Sequence, residues 1–365
     1  MFTGHSPTRR SICKRFAAGV MGFGLGSRVL GAPPRSSQPL ASRERAGGDR
    51  IKAFCVDFNW GPKGFAPPGM FAHASPKKHL RWYQDLGVNT IQTFCVNCCG
   101  YAWYKQSAVA PVQPGLKSDF LKEMTDLGHA AGMRVMGYFC VGANTYWGRT
   151  QPDLSHGTPA TRHIPFTTHY LDYLCRSIED AVTKVPIDGF MVDWLFSPPP
   201  QWIDCEQTLY TELFQRPFPG RGAMGAAETA EFLRRSTERA WVRIRQATRS
   251  ARPECVIWLS CYDLREPQVV NSVLFKQTDW LMNESPDTTA LDAVRKETGP
   301  HTRLIQCVCG WGDKHDAEKV VKDPAYADVG IYGFAAADPH TTLPVKDTSA
   351  NARNIEAIRR AFRGL

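Results

Sequence analysis

The sequence lacks several patterns that would assign it to a common functional class. It contains no uninterrupted run of about 18 or more apolar residues, so it predicts no membrane-spanning helix. It has no Gly-x-Ser-x-Gly motif, which argues against a serine hydrolase of the nucleophile-elbow type. It has no His-Glu-x-x-His motif, which argues against a zinc peptidase. Function must therefore be inferred from the order of strands and helices and from the residues at strand ends.

Little in the sequence indicates a nucleotide or nucleic-acid ligand. Residues 57–62, DFNWGP, follow the first apolar run and match neither a GxGxxG fingerprint nor a P-loop. The formal net charge is +9, but residues 1–31 contain five basic residues and no acid, which leaves +4 for the rest of the chain. A surplus this mild is not a nucleic-acid footprint. We expect no nucleic-acid partner and no cofactor.

The N-terminal segment has the features of a targeting sequence. Residues 8–14, TRRSICK, precede a Gly-rich, mildly apolar stretch over residues 16–30, which then meets Gly31 and Ala32. This pattern resembles a bacterial twin-arginine export signal. We predict a signal peptide over residues 1–32 and a polar linker over 33–50. The predicted partner is the twin-arginine machinery, and the predicted location is periplasmic or secreted, without membrane attachment of the mature protein. The alternative is a basic, disordered N-terminus.

Cysteine is abundant, with twelve residues. In an exported protein this number would suggest disulfides. Six of them, however, lie in apolar strand-like runs, where thiols usually act as small buried hydrophobes: Cys55, Cys95, Cys140, Cys255, Cys307 and Cys309. Residues 95–99, CVNCC, leave a metal site or a local disulfide open, but no second Cys/His pair has zinc-finger spacing. We therefore predict a largely unbridged core and no metal site.

Strand-like and helical patterns alternate along the chain after the linker. The apolar strand patterns are Ile51–Trp60, Val88–Asn97, Arg134–Ala143, Gly189–Phe196, Cys255–Tyr262, Trp280–Glu284, Leu304–Trp311 and Val329–Ala336. The helical patterns are Lys77–Leu86, Asp119–Ala131, Thr167–Lys184, Ala227–Ser250, Gln268–Lys276, Thr288–Thr298, Asp316–Lys322 and Ala350–Phe362. Eight strand–helix units predict an α/β fold, a (β/α)8 TIM barrel over residues 51–365, rather than an open doubly wound sheet.

Acids and aromatic residues collect where the predicted strands end. In a (β/α)8 barrel these ends form the functional rim. Aromatic rings stack on the apolar faces of sugars, and glycoside hydrolysis needs two carboxyl groups, so this rim predicts an oligo- or polysaccharide site. Asp193 and Glu284, after strands four and six, are the best-placed catalytic pair. The predicted substrate-binding residues are Asp57, Asn59, Trp60, Asn97, Trp103, Tyr146, Trp194, Asp263, Trp311, Asp338 and His340. We expect the long segment 197–226 to shape the site.

The fourth predicted strand carries a family resemblance. Residues 187–196, IDGFMVDWLF, look like the nucleophile segment of the α-galactosidase barrels and, more loosely, of the α-L-fucosidases of glycoside hydrolase family 29. Residues 212–252, with a PFPG turn and a long Arg/Glu-rich helix, resemble uncharacterised glycosyl-hydrolase-like barrel proteins near the fucosidases. The resemblance implies a retaining, exo-acting glycosidase for an α-linked sugar such as fucose or galactose, with Asp193 as nucleophile. Strand seven ends without a glutamate, unlike the β-glycosidase clan.

Other interpretations of the same residues stay open at this point. Asp263 is the rival of Glu284 as acid/base. A non-catalytic carbohydrate-binding barrel would keep the aromatic residues without a second acid facing Asp193. A metal-assisted hydrolase would be built on Asp57, His73, Asp193 and Asp338.

Overall fold

A computed structural model of the protein describes residues 49–61, 64–156, 163–285, 287–310, 317–345 and 349–365. The predicted signal peptide, residues 33–48 of the predicted linker, and Trp311 lie outside them.

Eight parallel strands close into a barrel, which confirms the predicted fold class. The strands of the described chain are, in order, β1 (Lys52–Asp57), β2 (Trp60–Gly61), β3 (Gly64–Phe65), β4 (Thr90–Gln92), β5 (Arg134–Cys140), β6 (Gly189–Asp193), β7 (Val256–Cys261), β8 (Trp280–Asn283), β9 (Arg303–Cys309) and β10 (Gly330–Ala336). The barrel order is β1-β10-β9-β8-β7-β6-β5-β4, while β2 and β3 pair as a separate antiparallel hairpin.

Helices separate most of the barrel strands. They are α1 (Pro76–Leu86), α2 (Phe120–Ala130), α3 (Thr145–Thr150), α4 (Thr168–Lys184), α5 (Asp204–Phe214), α6 (Ala226–Ala251), α7 (Val273–Gln277), α8 (Thr289–Val294), α9 (Ala317–Lys322) and α10 (Ser349–Arg363). Short 3-10 helices cover Pro152–Leu154, Arg221–Ala223 and Pro324–Tyr326. No helix in the described ranges is long and apolar enough to cross a bilayer.

The barrel strands are nearly continuous apolar runs because helices cover the outer face of the barrel and side chains fill its interior. Every residue of β7 is buried, as are the first four residues of β6. Parallel pairing fixes the register of these strands. Val192 of β6 lies opposite Leu259 of β7, and Cys140 of β5 lies opposite Asp193 of β6. The last residues of neighbouring strands therefore meet at one rim.

Cysteines of the predicted strands lie in this core, as the sequence predicted. Cys55, Cys95, Cys140 and Cys255 are buried thiols without a disulfide partner. Cys98 is also a free buried thiol, and its Sγ lies 3.5 Å from the backbone oxygen of Asn59. These thiols fill space in the core, and Cys98 also anchors the loop that follows β4.

The segment after β6 folds into a small unit of its own. The sequence predicted no helix between residues 197 and 226, yet α5 lies there and packs Leu209 and Tyr210 against Trp202 and against Phe232 of α6. Helix α5 was missed because its apolar residues face this satellite cluster rather than the barrel, which weakens the expected pattern. The unit is tied to the loop after β5 by a buried hydrogen bond between His156 Nε2 and Glu206 Oε1, 2.7 Å apart.

Candidate active site

A pocket opens at the carboxyl ends of the barrel strands. Its volume is about 530 Å³ when the open space at its mouth is included. Its lining residues come from seven barrel strands, from the β2–β3 hairpin and from adjoining loops: Cys55, Asp57, Asn59, Trp60, Phe65, Gln92, Phe94, Cys98, Tyr138, Met191, Asp193, Trp194, Ser260, Met282, Glu284, Tyr332 and Phe334. Functional sites of (β/α)8 barrels lie at this end.

Both predicted catalytic carboxyl groups face this pocket. Asp193 is the last residue of β6, and Glu284 follows the last residue of β8. Strands β6 and β8 both flank β7, so their ends lie two strands apart on the rim. The predicted substrate-binding residues Asp57, Asn59, Trp60 and Trp194 line the same pocket. The structure thus brings these six residues of the predicted site together.

Three donors hold the Asp193 carboxylate in place. The Tyr138 hydroxyl donates to Oδ2 at 2.7 Å, and the Trp194 backbone N–H donates to Oδ1 at 3.0 Å. The Ser260 hydroxyl, on β7, also donates to this carboxyl. Burial, followed by the charge of Glu284, nevertheless raises the pKa of Asp193 from 3.8 to about 7, while the three hydrogen bonds oppose that rise. The carboxyl is therefore fixed in orientation and gains its charge near neutral pH.

Asp57 adds a third carboxyl group to the pocket. Its side chain is only 7% exposed, and Oδ1 accepts the Asn59 N–H at 2.7 Å. The Trp60 indole also donates to it. Burial is the main cause that raises its pKa from 3.8 to about 7, and the charges of Asp193 and Glu284 add to it. Asp57, Asp193 and Glu284 thus interact electrostatically, and Asp57 and Asp193 both exchange protons near neutrality.

The residue after Asp193 has an unusual backbone. Trp194 has φ 58°, in the left-handed region that bulky side chains rarely adopt. The neighbouring chain makes room for it, because a Cβ at Gly142 would lie 2.3 Å from the Trp194 oxygen. Strained backbone of this kind persists where the surroundings enforce it, often at functional sites. Here it accompanies the N–H contact to Asp193 and the placement of the indole on the pocket wall.

Aromatic rings form one wall of the pocket. Trp60 on β2 packs against Phe65 on β3, with ring centroids 5.0 Å apart, and Phe65 packs against Trp194 at 5.7 Å. The sequence predicted Trp60 and Trp194 here but missed the hairpin that carries Trp60 and Phe65. The glycines at Gly61 and Gly64, at the inner ends of the two short strands, were the available hairpin signal.

Several predicted substrate-binding residues are placed elsewhere. Trp103 is fully buried and stacks on Phe58 with centroids 4.6 Å apart, so it belongs to the core and not to the pocket. Asn97 is buried and its Nδ2 lies 3.5 Å from the Phe58 oxygen. Tyr146 packs edge-on against Tyr101 and does not line the pocket. These residues follow β4 and β5, where the chain folds back over the core instead of ending at the rim.

The other acids are used in turns at the surface. The side chain of Asp263 pairs with Arg265 and accepts its backbone N–H, and these contacts lower the pKa of Asp263. A lowered pKa opposes the role of general acid, and Asp263 does not line the pocket. Asp338 accepts the backbone N–H groups of His340 and Thr341, which closes a turn after β10. Both Asp338 and His340 thus lie outside the pocket lining.

The sequence missed the polar residues that lie inside the strands. Tyr138 and Ser260 contact Asp193, while the Tyr332 hydroxyl donates to Gln92 Oε1 at 3.0 Å at the pocket floor. A polar side chain within an otherwise apolar, fully buried strand is a usable signal, because burying it demands a partner.

The side chains of the metal-based alternative are not gathered at one point. Asp57 and Asp193 line the pocket, whereas His73 Nε2 bonds to the backbone oxygen of His340 and Asp338 caps its turn. Across the ranges that the structure describes, no group of three or more His, Cys, Asp or Glu side chains is arranged to hold a metal ion.

Solved structures with a similar fold include two α-L-fucosidases and an α-amylase. The α-L-fucosidase isoenzyme 2 of Paenibacillus thiaminolyticus has a TM-score of 0.65 and 16% identity, and the match covers 87% of this chain and 49% of that one. The unliganded α-L-fucosidase of Lactobacillus casei has a TM-score of 0.48 and 12% identity over 90% of this chain and 99% of that one. The Geobacillus thermoleovorans α-amylase with acarbose has a TM-score of 0.49 and 11% identity over 86% and 79%.

No family model matches the chain, and no curated protein matches its sequence. The chain spans about half the length of the Paenibacillus fucosidase. The described part of this protein has a glycoside-hydrolase-like (β/α)8 fold.

Proposed function

We propose that this protein hydrolyses O-glycosidic bonds, with retention of configuration, at an α-linked sugar such as fucose or galactose. The observation that carries the proposal is the pairing of Asp193 and Glu284 in one pocket with an aromatic wall. Two carboxyl groups and a surface for the sugar ring are the minimum that glycoside hydrolysis needs. The fold shared with a protein described as an α-L-fucosidase makes α-L-fucosides the first substrates to test.

In the proposed mechanism, Asp193 attacks the anomeric carbon as its glycosidic bond breaks. The leaving oxygen takes a proton from Glu284, which gives a glycosyl ester on Asp193. Glu284 then removes a proton from water, the water oxygen attacks the same carbon, and Asp193 leaves as a carboxylate. Retention requires carboxyl groups about 5–5.5 Å apart, whereas inversion requires about 6.5–9.5 Å.

The contacts around Asp193 suit a nucleophile. Tyr138, Ser260 and the Trp194 N–H stabilise its ionised form, which has to attack. Because burial and Glu284 raise the pKa of Asp193 to about 7, activity should fall as the pH drops below 7. The general-acid role goes to Glu284, the other acid of the pair. A second acid facing Asp193 also favours a hydrolase over a non-catalytic sugar-binding barrel.

The remaining pocket residues have positions suited to holding one sugar ring. Trp60, Phe65 and Trp194 offer apolar faces, and Asp57 and Asn59 offer polar groups for hydroxyls. Exo action on a terminal sugar is part of the proposal because the resemblance of residues 187–196 to the nucleophile segment of α-glycosidase barrels implies it.

The test is a screen of aryl α- and β-glycosides of fucose, galactose and glucose with the wild type, Asp193→Ala and Glu284→Gln. Asp263→Ala is the matched control, because it removes an acid of the same rim that lies outside the pocket. We expect hydrolysis of an α-glycoside, a loss of about 10³-fold or more in Asp193→Ala, and near-wild-type rates in the control. If Asp193→Ala leaves the activity unchanged, the mechanism is refuted. If proton NMR shows that the first product has the anomeric configuration opposite to that of the substrate, retention is refuted.

We also propose that the protein is exported through the twin-arginine pathway and acts in the periplasm or outside the cell. The support is the sequence pattern of residues 8–32, with Arg9 and Arg10 at its start. Replacing both arginines with lysine should retain the protein in the cytoplasm, as measured by cell fractionation. Unchanged export would refute this proposal.

A further inference from the structure

Two large aromatic side chains are exposed in the described chain, and both lie beside the pocket. Phe196 is 37% exposed and Tyr262 is 71% exposed. Phe196 follows β6, which ends on Asp193, and Tyr262 follows β7 directly. Because β6 and β7 are hydrogen-bonded neighbours, both rings emerge at the barrel end that holds the candidate site. Single exposed apolar residues are common on protein surfaces, but these two share one rim.

The exposed Phe196 ring is continuous with the pocket wall. Its centroid is 5.8 Å from that of Trp194, at an interplanar angle of 30°. His163 stacks on Trp194 at 5.5 Å and 29°, and its centroid lies 6.1 Å from that of Phe196. Trp194 itself lines the pocket beside Asp193. The rings of His163, Trp194 and Phe196 therefore form one surface, here called the rim platform, that runs from the catalytic carboxyl to solvent.

The rim platform suits an uncharged ring with an apolar face. Partial burial, followed by the interaction with His156, lowers the pKa of His163, which favours its neutral form. The acids behind the platform, Asp57, Asp193 and Glu284, would repel an anionic ligand. Arg265, three residues after Tyr262, forms ion pairs with both Asp263 and Asp287 and leaves no free positive charge to attract an anionic ligand. A pyranose ring of a neutral sugar has the apolar face and the polar edges that such a surface accepts.

We infer that the rim platform, with Tyr262 beside it, binds the neutral sugar on the leaving-group side of the cleaved bond. This inference rests on the proposed function and adds a second sugar subsite to it. The sugar in the pocket is the one attacked by Asp193, and the next sugar along the chain stacks on Phe196. The preferred substrate is then an oligosaccharide end rather than a glycoside with a small leaving group.

The kinetic test compares two substrates with the same attacked sugar. The probes are α-L-fucosyl fluoride, whose leaving group reaches no second subsite, and the disaccharide α-L-fucosyl-(1→2)-D-galactose, with the corresponding α-D-galactosyl compounds if galactosides are cleaved. Phe196→Ala should lower the ratio of kcat/KM for the disaccharide to that for the fluoride about tenfold (about 1.4 kcal/mol). Val242→Ala, an exposed apolar residue on α6, is the matched control and should leave the ratio unchanged. An unchanged ratio in Phe196→Ala overturns the inference.

A binding test separates this inference from the proposed function. Calorimetric titration of Asp193→Asn with fucose and with the disaccharide should show tighter binding of the disaccharide, and Phe196→Ala and Tyr262→Ala introduced into this background should each reduce that advantage. Equal affinities for the two sugars, or an advantage that survives both substitutions, would overturn the inference even for an active glycosidase. A disaccharide advantage that these substitutions abolish, in a protein that cleaves no glycoside, would support the subsite and refute the hydrolase.

Discussion

Replacing Asp57 with asparagine should change how the stability of the protein depends on pH. The unfolded side chain loses its proton near pH 3.8, whereas the folded one keeps it to about pH 7 because the carboxyl is buried beside Asp193 and Glu284. The folded state therefore binds more protons between these values, and its stability must fall as the pH rises through this interval. An asparagine carries no such charge, so this component of the pH dependence is removed.

The size of the effect follows from the two pKa values. Between pH 5 and pH 8, linkage gives Asp57 a destabilising contribution that grows by about 2–3 kcal/mol. Asparagine has one acceptor oxygen where aspartate has two, so it accepts less well from the Asn59 N–H and the Trp60 indole together, and the weakened contacts cost about 1–3 kcal/mol. The variant should thus be the less stable protein at pH 5, and the gap should close or reverse by pH 8.

The assay is urea unfolding followed by tryptophan fluorescence at pH 5, 6.5 and 8 for both proteins. Asp263→Asn is the control, because its pKa is lowered by Arg265 and its contribution changes only at more acidic pH. A wild type and an Asp57→Asn variant whose free energies of unfolding run parallel from pH 5 to pH 8 would refute the assigned environment of Asp57.

Two further substitutions test the support of Asp193. Tyr138→Phe removes the hydroxyl that donates to Asp193 at 2.7 Å, so the pKa of Asp193 should rise. The acid limb of the pH profile of kcat/KM should then move up by about one to two pH units. An acid limb that does not move would contradict the role of Tyr138 in stabilising the ionised Asp193. Gly142→Ala forces a Cβ against the Trp194 oxygen and should cost about 1–3 kcal/mol of stability and lower kcat, whereas Gly222→Ala, with open space around it, should change neither. Unfolding curves and initial rates of both glycine variants measure this, and equal behaviour would refute the argument.

The barrel was predictable because each of its strands and helices has a hydrophobic pattern that can be recognised from a short stretch of sequence. A strand such as residues 256–261 is apolar throughout, and helices of about the right length follow at regular intervals. The placement of Asp193 and Glu284 in the pocket was predictable because each lies within two residues of the last apolar residue of its strand, where parallel pairing puts side chains at one rim. Placing these two residues requires only the position where each strand ends, and the hydrophobic pattern of the sequence indicates that position.

The rest of the candidate site depends on tertiary contacts, which the hydrophobic pattern of the sequence does not reveal. The predicted second strand ran to Asn97, but β4 ends at Gln92 and the chain beyond it keeps only an isolated parallel bridge, from Val96 to Phe139. Trp103, farther along, packs in the core beside Phe58. Asp263 is drawn into a surface ion pair with Arg265.

The contacts of side chains on the inner face of the barrel were equally difficult to predict from the sequence. Tyr138 lies within β5, and its contact with Asp193 depends on the register between β5 and β6, where Tyr138 pairs with Met191. A register of this kind is set by the closed barrel, not by either strand alone.

The measurement that tests the central claim most directly is covalent trapping of the nucleophile. The wild type would be incubated with the 2-deoxy-2-fluoro glycosyl fluoride of the sugar that it cleaves best, because the fluorine slows hydrolysis of the glycosyl ester more than its formation. Digestion and tandem mass spectrometry would then locate the added sugar. The proposed mechanism predicts one label, on Asp193 in the peptide that contains residues 187–196. A label on Glu284 or Asp57, or an active enzyme that acquires no label while its turnover is unaffected by the reagent, would contradict it.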